Sequence, residues 1–160
     1  MRYHRTMDYQ AKLRVPFGVL GIRCSADALV GIDFLAVSES AQTPTGEIAA
    51  MACEQLRGYF DDPQASLTVP LDLRGTAHRH RVWQAILHIP CGQTRSYGEL
   101  AAALHSGAQA VGQACGVNPV PIVVPCHRVI AKAGLGGFMQ SAGGATLDIK
   151  RWLLKHEGVL

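Results

Sequence analysis

The first third of the chain alternates short apolar runs with glycine and proline. Apolar residues, many of them β-branched or aromatic, recur from Leu13 to Phe34, and four residues interrupt them: Pro16, Gly18, Gly21 and Gly31. Such runs bounded by turn residues are typical of short strands, so the pattern predicts a strand-turn-strand opening. The polar residues 38–46 that follow are predicted to form a loop.

A period of four marks the first predicted helix. One apolar face is formed by Ile48, Ala52, Leu56 and Phe60. This spacing indicates an amphipathic helix, and Asp61-Asp62-Pro63 ends it because proline cannot continue a helix. We interpret residues 64–74 as a connector and place a domain boundary there.

The second half is predicted to be helical with one extended interruption. Four apolar residues with i,i+4 spacing precede the stop at Ile89-Pro90: Val82, Trp83, Ile86 and Leu87. Ser96 is a good N-cap, with Glu99 at the capping-box spacing. Two short helices joined by a glycine turn over residues 96–117 match a helix-turn-helix, a pattern that many non-binding helix pairs share.

The last third carries a strand signal, a glycine-rich loop and a helix signal. Ile122-Val123-Val124 predicts a buried strand that Pro125 ends, and residues 131–144 predict a loop around a pocket. The final helix, with Gly158 at its C-terminal cap, is expected to bury one set of residues and expose another. The buried set is Ile149, Trp152 and Leu153, and the exposed set is Lys150, Arg151 and Lys155.

Composition narrows the class of protein. Of 160 residues, 48% are hydrophobic and 17% are charged, which is enough to bury a core. The net charge of +3 permits a nucleic-acid partner without requiring one. No apolar stretch has the length of a signal peptide or a membrane span, so we expect a cytoplasmic protein without membrane association.

The cysteine pattern predicts reduced thiols and no metal. The chain has five cysteines, an odd number, and no Cys-x-x-Cys pair. A zinc site formed by Cys24 with His4, His78 or His80 is conceivable, but it lacks the paired spacing of known zinc sites. We therefore predict no metal ligand.

Pro125-Cys126-His127-Arg128 is the candidate chemical site. A thiol is mostly protonated at neutral pH, but a neighbouring imidazole can take its proton and a carboxylate can orient that imidazole. On an extended strand Cys126 and His127 would point to opposite faces, so either the chain turns at Cys126 or a water bridges them. A buried cysteine beside a surface histidine is the alternative.

The segment from Asn118 to Val129, Asn-Pro-Val-Pro-Ile-Val-Val-Pro-Cys-His-Arg-Val, closely resembles the active-site signature of the bacterial-type O6-alkylguanine-DNA alkyltransferases. The resemblance spans most of residues 75–158, including Ser96-Tyr97-Gly98-Glu99 and His156-Glu157-Gly158. It implies an α/β (α+β) fold. A small ribonuclease-H-like domain at 1–70, which matches only in general character, would precede a mostly helical domain at 75–160 with a (winged) helix-turn-helix at 96–117.

The resemblance implies direct-reversal DNA repair without a cofactor. Cys126 would take the alkyl group, typically methyl, from O6-alkylguanine or O4-alkylthymine in DNA and keep it as a thioether, so each molecule would act once. His127 would serve as base through a bridging water, Glu157 would orient it, and Asn118 would tie the preceding turn to the active-site loop. The alternatives are a solvated charge for Glu157 and an ordinary turn residue for Asn118.

The resemblance also implies that a monomer binds double-stranded DNA through the minor groove; cooperative binding stays open. The damaged base would be extruded into a pocket. The implied DNA-contacting residues are Ser96, Tyr97, Gln109 and Arg128, and the implied pocket residues are Pro121, Val129, Gly137, Phe138 and Met139. A half-buried aromatic for Tyr97 and a salt bridge for Arg128 are the alternatives.

Two residues depart from the family pattern. Gln109 stands nine residues before Asn118, where the family usually carries arginine, which predicts weaker DNA binding or slower repair in duplexes. Phe138 replaces the usual tyrosine, and its ring can stack but cannot donate a hydrogen bond. The loop that follows Phe138 is also longer than the family pattern.

Three other functions remain open. A non-catalytic lesion-binding relative would not need Cys126. A Cys-His hydrolase places its two residues far apart in sequence, whereas Cys126 and His127 are adjacent. A plain helix-turn-helix regulator would account for residues 96–117 but not for Pro125 to Arg128.

Overall fold

The computed structural model describes residues 8–139 and 144–160. They fall into two compact units. The first contains the described residues up to Asp61 together with Ala65–Asp72, and the second contains Asp62–Gln64 and Leu73–Leu160. Within these described ranges, no helix is both long enough and apolar enough to cross a membrane.

The first unit consists of a three-stranded antiparallel sheet and a helix. Strands β1 (Ala11–Val15), β2 (Gly18–Cys24) and β3 (Leu29–Leu35) lie in the order β1-β2-β3. Helix α1 (Glu47–Asp61) confirms the period-four prediction. Ala52 and Leu56 are buried as expected, whereas Ile48 and Phe60 are half-buried.

Gly21 and Gly31 do not break the strands, which corrects the sequence-based expectation. Both lie inside paired segments of β2 and β3. A Cβ atom at Gly21 would clash with the Tyr9 ring, and one at Gly31 would clash with the Arg23 guanidinium. Glycine is needed here because neighbouring side chains cross the sheet surface, and not because the chain turns.

The second unit is mostly helical. Its helices are α2 (Ala77–Leu87), α3 (Tyr97–Ala103), α4 (Ala108–Gly116) and α5 (Gly144–His156), and its two-residue strands β4 (Arg95–Ser96) and β5 (Val129–Ile130) pair in parallel. The predicted helix pair is confirmed as α3 and α4. The Ser96 hydroxyl accepts from the Glu99 backbone, and the Glu99 carboxylate accepts from the Ser96 N–H, as in a full capping box.

A buried tryptophan ties α2 to the end of α4. The Trp83 indole N–H donates to the Ala114 carbonyl at 2.9 Å, and the Trp83 side chain is 1% exposed. Since α4 ends at Gly116, this contact fixes the chain just before Asn118.

The predicted strand at Ile122–Val124 is wrong. The segment forms a compact turn in which the Val124 N–H donates to the Val120 carbonyl at 2.9 Å. Ile122 has a φ of +76°, which is strained for a β-branched residue. The prolines at 119, 121 and 125 have no N–H to give to a strand ladder. The apolar run is therefore buried as a loop.

Helix α5 ends in a Schellman motif. Gly158 has a φ of +82°. Its N–H donates to Lys155, and the Val159 N–H donates to Leu154, at 3.0 and 2.9 Å. The predicted exposure of Lys150 is wrong, because its side chain is completely buried. Its spacing of three and four from the buried Leu153 and Leu154 puts it on the inner face of the helix.

Candidate active site

The chain turns sharply at Cys126. Pro125 has φ −81° and ψ 64°, the values of an inverse γ-turn, and the Cys126 N–H donates to the Val124 carbonyl at 2.8 Å. A single 3-10 turn, Cys126–Arg128, follows directly. The structure therefore shows that the chain turns at Cys126, so Cys126 and His127 do not take the opposed orientation of an extended strand.

Asn118 holds both the turn and the thiol. Its Nδ2 donates to the Val124 carbonyl at 2.8 Å and to the Cys126 Sγ at 3.1 Å, while its Oδ1 accepts from the Val120 N–H at 2.9 Å. The contacts to Val124 and Val120 tie the preceding turn to the loop that carries Cys126. The bond to sulfur could not be predicted from the sequence, because it depends on the γ-turn at Pro125.

The thiol is protonated in these surroundings. Cys126 is 2% exposed, and burial raises its pKa to about 11, although the Asn118 hydrogen bond and the Lys150 charge act to lower it. A thiol in this state is a poor nucleophile. Cys126 therefore needs a base nearby before it can react.

His127 and Glu157 form a buried pair. The distance from His127 Nε2 to Glu157 Oε2 is 2.7 Å, and both side chains are fully buried. An ionised carboxylate only accepts hydrogen bonds, which assigns the ring proton to Nε2. Nδ1 is buried and has no hydrogen-bond partner within the described residues. Burial also lowers the pKa of His127, so its neutral ring offers a lone pair on Nδ1.

Arg128 forms the salt bridge that was one of its two predicted alternatives. Its Nε lies 2.8 Å from Glu157 Oε1, its Nη2 lies 3.0 Å from Oε2, and its Nη1 donates to the Ile89 carbonyl at 2.7 Å. This bidentate contact favours the ionised form of Glu157. Arg128 thus supports the histidine through Glu157.

Tyr97 reaches the loop that follows the nucleophile. Its hydroxyl donates to the Gly137 carbonyl at 3.3 Å, and burial raises its pKa to about 12, so it stays a neutral donor. Of the other predicted pocket residues, Pro121, Val129 and Phe138 are buried and Met139 is half-buried. Residues 140–143, where the longer loop was predicted, lie outside the described residues.

Two further predicted residues, Gln109 and Ser96, lie on the helix pair. Gln109 is exposed in the first turn of α4. The Ser96 hydroxyl accepts the capping bond of α3. No cluster of three or more His, Cys, Asp or Glu side chains that could hold a metal occurs in residues 8–139 and 144–160.

Lys150 is the residue that sequence reasoning missed. Its ammonium donates to the carbonyls of Val129, Leu135 and Gly137, in the segment directly after the 3-10 turn. Its spacing of three and four residues from the apolar Leu153 and Leu154 indicates the buried face of α5, but the charge of a lysine favours an exposed position in a sequence-based prediction.

The fold and the site together define a class of protein. Its second unit contains a pair of short helices, α3 and α4, and a buried cysteine whose sulfur accepts a hydrogen bond from an asparagine. The next residue is a buried histidine that pairs with a glutamate. A family profile described as "6-O-methylguanine DNA methyltransferase, DNA binding domain" matches residues 77–159. The chain belongs to this family.

Relatives match over nearly the whole chain. The methylated-DNA--protein-cysteine methyltransferase of Mycobacterium tuberculosis is 39% identical over 163 residues, which cover 98% of this chain and 93% of that protein. The constitutive enzyme of Bacillus subtilis is 35% identical, covering 96% and 97%.

Solved structures show the same likeness. The crystal structure of the M. tuberculosis O6-methylguanine methyltransferase matches with a TM-score of 0.77 at 36% identity, covering 91% of this chain and 90% of that chain. The M. tuberculosis protein in complex with DNA matches with a TM-score of 0.76 at 40% identity and the same coverage.

Proposed function

We propose that this protein repairs alkylated DNA by direct reversal. The Cys126 sulfur attacks the alkyl carbon on O6 of guanine, or on O4 of thymine. A carbon–sulfur bond forms, and the carbon–oxygen bond breaks with its electron pair left on the base. The relatives named methylated-DNA--protein-cysteine methyltransferase support this reaction. Because a thioether is not readily reversed, each molecule reacts once, and no cofactor takes part.

The proton of the thiol must leave during the reaction. In this proposal it moves through a bridging water to His127 Nδ1, the buried nitrogen that has no partner among the described residues. Glu157, held ionised by Arg128, stabilises the imidazolium that forms. The anion left on the base takes a proton from solvent, and the imidazolium of His127 returns the thiol proton to solvent, so the DNA product is neutral guanine or thymine.

A single observation carries the proposal. In a chain of this family, Asn118 Nδ2 lies 3.1 Å from Cys126 Sγ. The residue after Cys126 is a buried histidine that is paired with the Glu157 carboxylate. An inert core cysteine does not need these partners. A plain regulator with a helix-turn-helix would not need them either.

DNA binding is assigned to the second unit. The family profile that covers residues 77–159 is described as a DNA-binding domain, and the M. tuberculosis homologue has been solved with DNA. We propose that a monomer binds duplex DNA through the minor groove with α4 and Gln109. Tyr97 at the start of α3 would contact the strand carrying the extruded base, next to the loop at Gly137 and Phe138.

The proposal also divides the chain into two domains with different roles. Residues 1–70 would form a ribonuclease-H-like domain, and residues 75–160 would form the DNA-binding and alkyl-transfer domain, with the helix-turn-helix at 96–117. Irreversible transfer to a thiol requires that thiol to be reduced. We therefore place the protein in the cytoplasm, where thiols are kept reduced.

A titration of lesions against protein tests the proposal. A duplex with one O6-methylguanine is mixed with the protein at several ratios, and restored guanine is measured by nucleoside chromatography. Guanine should rise to one equivalent of protein and then stop. Cys126→Ser should bind the lesion without restoring guanine, whereas Cys53→Ser, in the first unit, should behave like the unaltered protein.

Two results would refute this function. Continued turnover beyond one equivalent would indicate a hydrolase. Tight lesion binding without any restored guanine in the unaltered protein would indicate a non-catalytic lesion-binding relative.

A further inference from the structure

The exposed face of helix α4 carries two glutamines one turn apart. Gln109 and Gln113 are separated by four residues, so their side chains lie on the same face of the helix, and both are exposed. The opposite face is buried through Val111, Ala114 and Cys115. Gln109 is part of the proposed DNA contact, whereas Gln113 has no role in the reaction described above.

The packing of α4 fixes the direction in which this face looks. The Trp83 indole donates to the Ala114 carbonyl at 2.9 Å, and Val111 and Ala114 are almost completely buried. A helix that is anchored along its inner side cannot rotate to bury Gln113. The Gln113 side chain is therefore available to a molecule that binds along α4.

The exposed face also adjoins Tyr97, which we assign to the strand that carries the extruded base. Gly112 directly precedes Gln113, and a Cβ atom at Gly112 would lie 4.0 Å from Tyr97 Cε1. The ring of Tyr97 therefore lies against α4 beside Gln113. A contact from Gln113 to DNA would fall close to the lesion.

The spacing of the two glutamines agrees with the spacing of base pairs. With a rise of about 1.5 Å per residue, Gln109 and Gln113 are separated by about 6 Å along α4. Two base steps of about 3.4 Å cover nearly the same length. Gln113 can therefore reach a base pair within two steps of the pair that Gln109 meets.

The surroundings of Gln113 favour contact with nucleic acid. Between Glu99 and Asp148 the sequence contains no aspartate or glutamate, so this segment brings no fixed negative charge to a phosphate backbone. Gln113 is itself uncharged and adds nothing to electrostatic attraction. Its amide instead offers both hydrogen-bond donors and an acceptor.

A glutamine amide matches one type of base pair in the minor groove better than the other. An A·T pair presents only the acceptors adenine N3 and thymine O2 there, whereas a G·C pair adds the N2 amino group of guanine as a donor. The amide NH₂ group donates and the amide carbonyl accepts. The amide can therefore form a complementary pair of bonds with G·C, but it can only donate to A·T.

We propose that Gln113 is a specificity-determining residue: it reads the minor groove beside the lesion and favours alkyl transfer where a G·C pair lies within two base steps. This rests on the proposed function, because it requires α4 to lie in the minor groove. Gln113 selects the sequence around the alkylated base and does not touch the alkyl group.

Inosine tests the contact, because it lacks only the N2 amino group of guanine. Duplexes with one O6-methylguanine carry G·C or I·C at each of the two positions on either side of the lesion. Fluorescence anisotropy with Cys126→Ser measures affinity, and single-turnover transfer by the unaltered protein is measured at subsaturating concentration. At one of these positions inosine should weaken binding and slow transfer by about 5- to 100-fold, the discrimination of one bidentate contact.

A second base analogue separates the amino group from the strength of base pairing, since I·C pairs are weaker than G·C pairs. Replacing A·T by 2,6-diaminopurine·T at the same position adds the amino group to the minor groove. Binding and transfer should then improve, although the pair itself becomes stronger. Inosine and diaminopurine should thus act in opposite directions through Gln113.

Gln113→Ala should bind the G·C and I·C duplexes equally, because no amide remains to read the amino group. Its affinity should keep the salt dependence of the unaltered protein, since glutamine and alanine are both uncharged. Alanine is the best helix former, so this exposed substitution leaves α4 intact. Gln84→Ala, which removes an exposed glutamine from α2, should keep the full preference for G·C.

Three results would overturn this role of Gln113. They are equal binding of guanine and inosine at all four positions, a preference that persists in Gln113→Ala, and an equal loss of affinity for every duplex in Gln113→Ala. The last result would assign Gln113 to the sugar-phosphate backbone.

Failure of the proposed function gives a different pattern. Transfer to Cys126 without any sequence preference would leave the repair function standing and refute the role of Gln113. Absence of transfer would refute the repair function, while the anisotropy data would still decide whether Gln113 reads the amino group. Absence of binding to any duplex would refute both.

Discussion

At the scale of single residues, Cys126, the proposed acceptor, depends on its neighbours for reactivity. Burial raises the pKa of Cys126, whereas the Asn118 amide and the charge of Lys150 lower it. His127 is kept neutral by burial and oriented by Glu157. The reactivity of the thiol therefore depends on four surrounding side chains, which are those of Asn118, His127, Lys150 and Glu157.

Replacing Asn118 tests the contact to sulfur. Asn118→Ala removes the donor to Sγ and two bonds to the backbone. The free energy of unfolding should fall by about 1–3 kcal/mol, and transfer should slow by roughly 10- to 100-fold. Urea unfolding and single-turnover rates measure the two effects. Gln84→Ala, exposed on α2, serves as the control, and a normal rate in Asn118→Ala would contradict the assigned role.

Replacing Glu157 tests the proton path. In Glu157→Gln the carboxylate that stabilises the imidazolium and pairs with Arg128 is lost. Transfer should slow on the order of 100-fold, with DNA affinity nearly unchanged. Rate constants and fluorescence anisotropy measure these separately, with Glu54→Gln, exposed on α1, as the control. An equal loss of affinity would show that Glu157 supports DNA binding instead.

The buried histidine also predicts how stability depends on pH. Burial lowers the pKa of His127 in the folded state. Below about pH 6.5 the His127 ring therefore binds a proton in the unfolded chain but not in the folded chain. Stability should fall as the pH decreases from there, with at most about 1.4 kcal/mol per pH unit from this group. Urea unfolding at pH 7.5 and 5.5 measures the slope. His127→Gln should have a shallower slope, and an unchanged slope would contradict this.

At the scale of elements, local signals predicted local structure. The helices at α1 and α2, the capping box of Ser96 and the cap at Gly158 were all predictable, because each depends on residues within one or two turns. The Ile122–Val124 segment was mistaken for a strand because an apolar run does not distinguish a buried strand from a buried loop.

The site was predictable only as far as its residue types. Cys126, His127, Glu157 and Asn118 could be named from the sequence and from the family resemblance. The bond from Asn118 to Sγ and the burial of Lys150 could not be named, because both arise from the fold of the chain between Asn118 and Gly137.

Helix α4, which we propose contacts DNA, offers a charge test at this scale. Gln109 is exposed in the first turn of α4. Gln109→Arg should bind duplex DNA more tightly, with a salt dependence steeper by about one unit of logarithmic slope. Ala50→Arg adds the same charge on the exposed side of α1 and serves as the control. Equal slopes for both variants and the unaltered protein would place α4 away from DNA.

At the scale of the whole molecule, the described residues form two compact units. The first holds the sheet and α1, and the second holds every residue of the acceptor site described above. The family profile covers the second unit alone, whereas the relatives match over nearly the full length. The first unit is therefore shared with these relatives, although the family profile does not extend over it.

The most direct measurement is peptide mass analysis after reaction with a duplex that contains O6-methylguanine. Trypsin releases residues 96–128 as one peptide, which contains both Cys115 and Cys126, so fragmentation is needed to place the methyl group. One methyl group should be found on Cys126, and none on Cys115, whose pKa burial raises far above its usual value. A methyl group on another residue, or an unmodified protein after the lesion has disappeared, would contradict transfer to Cys126.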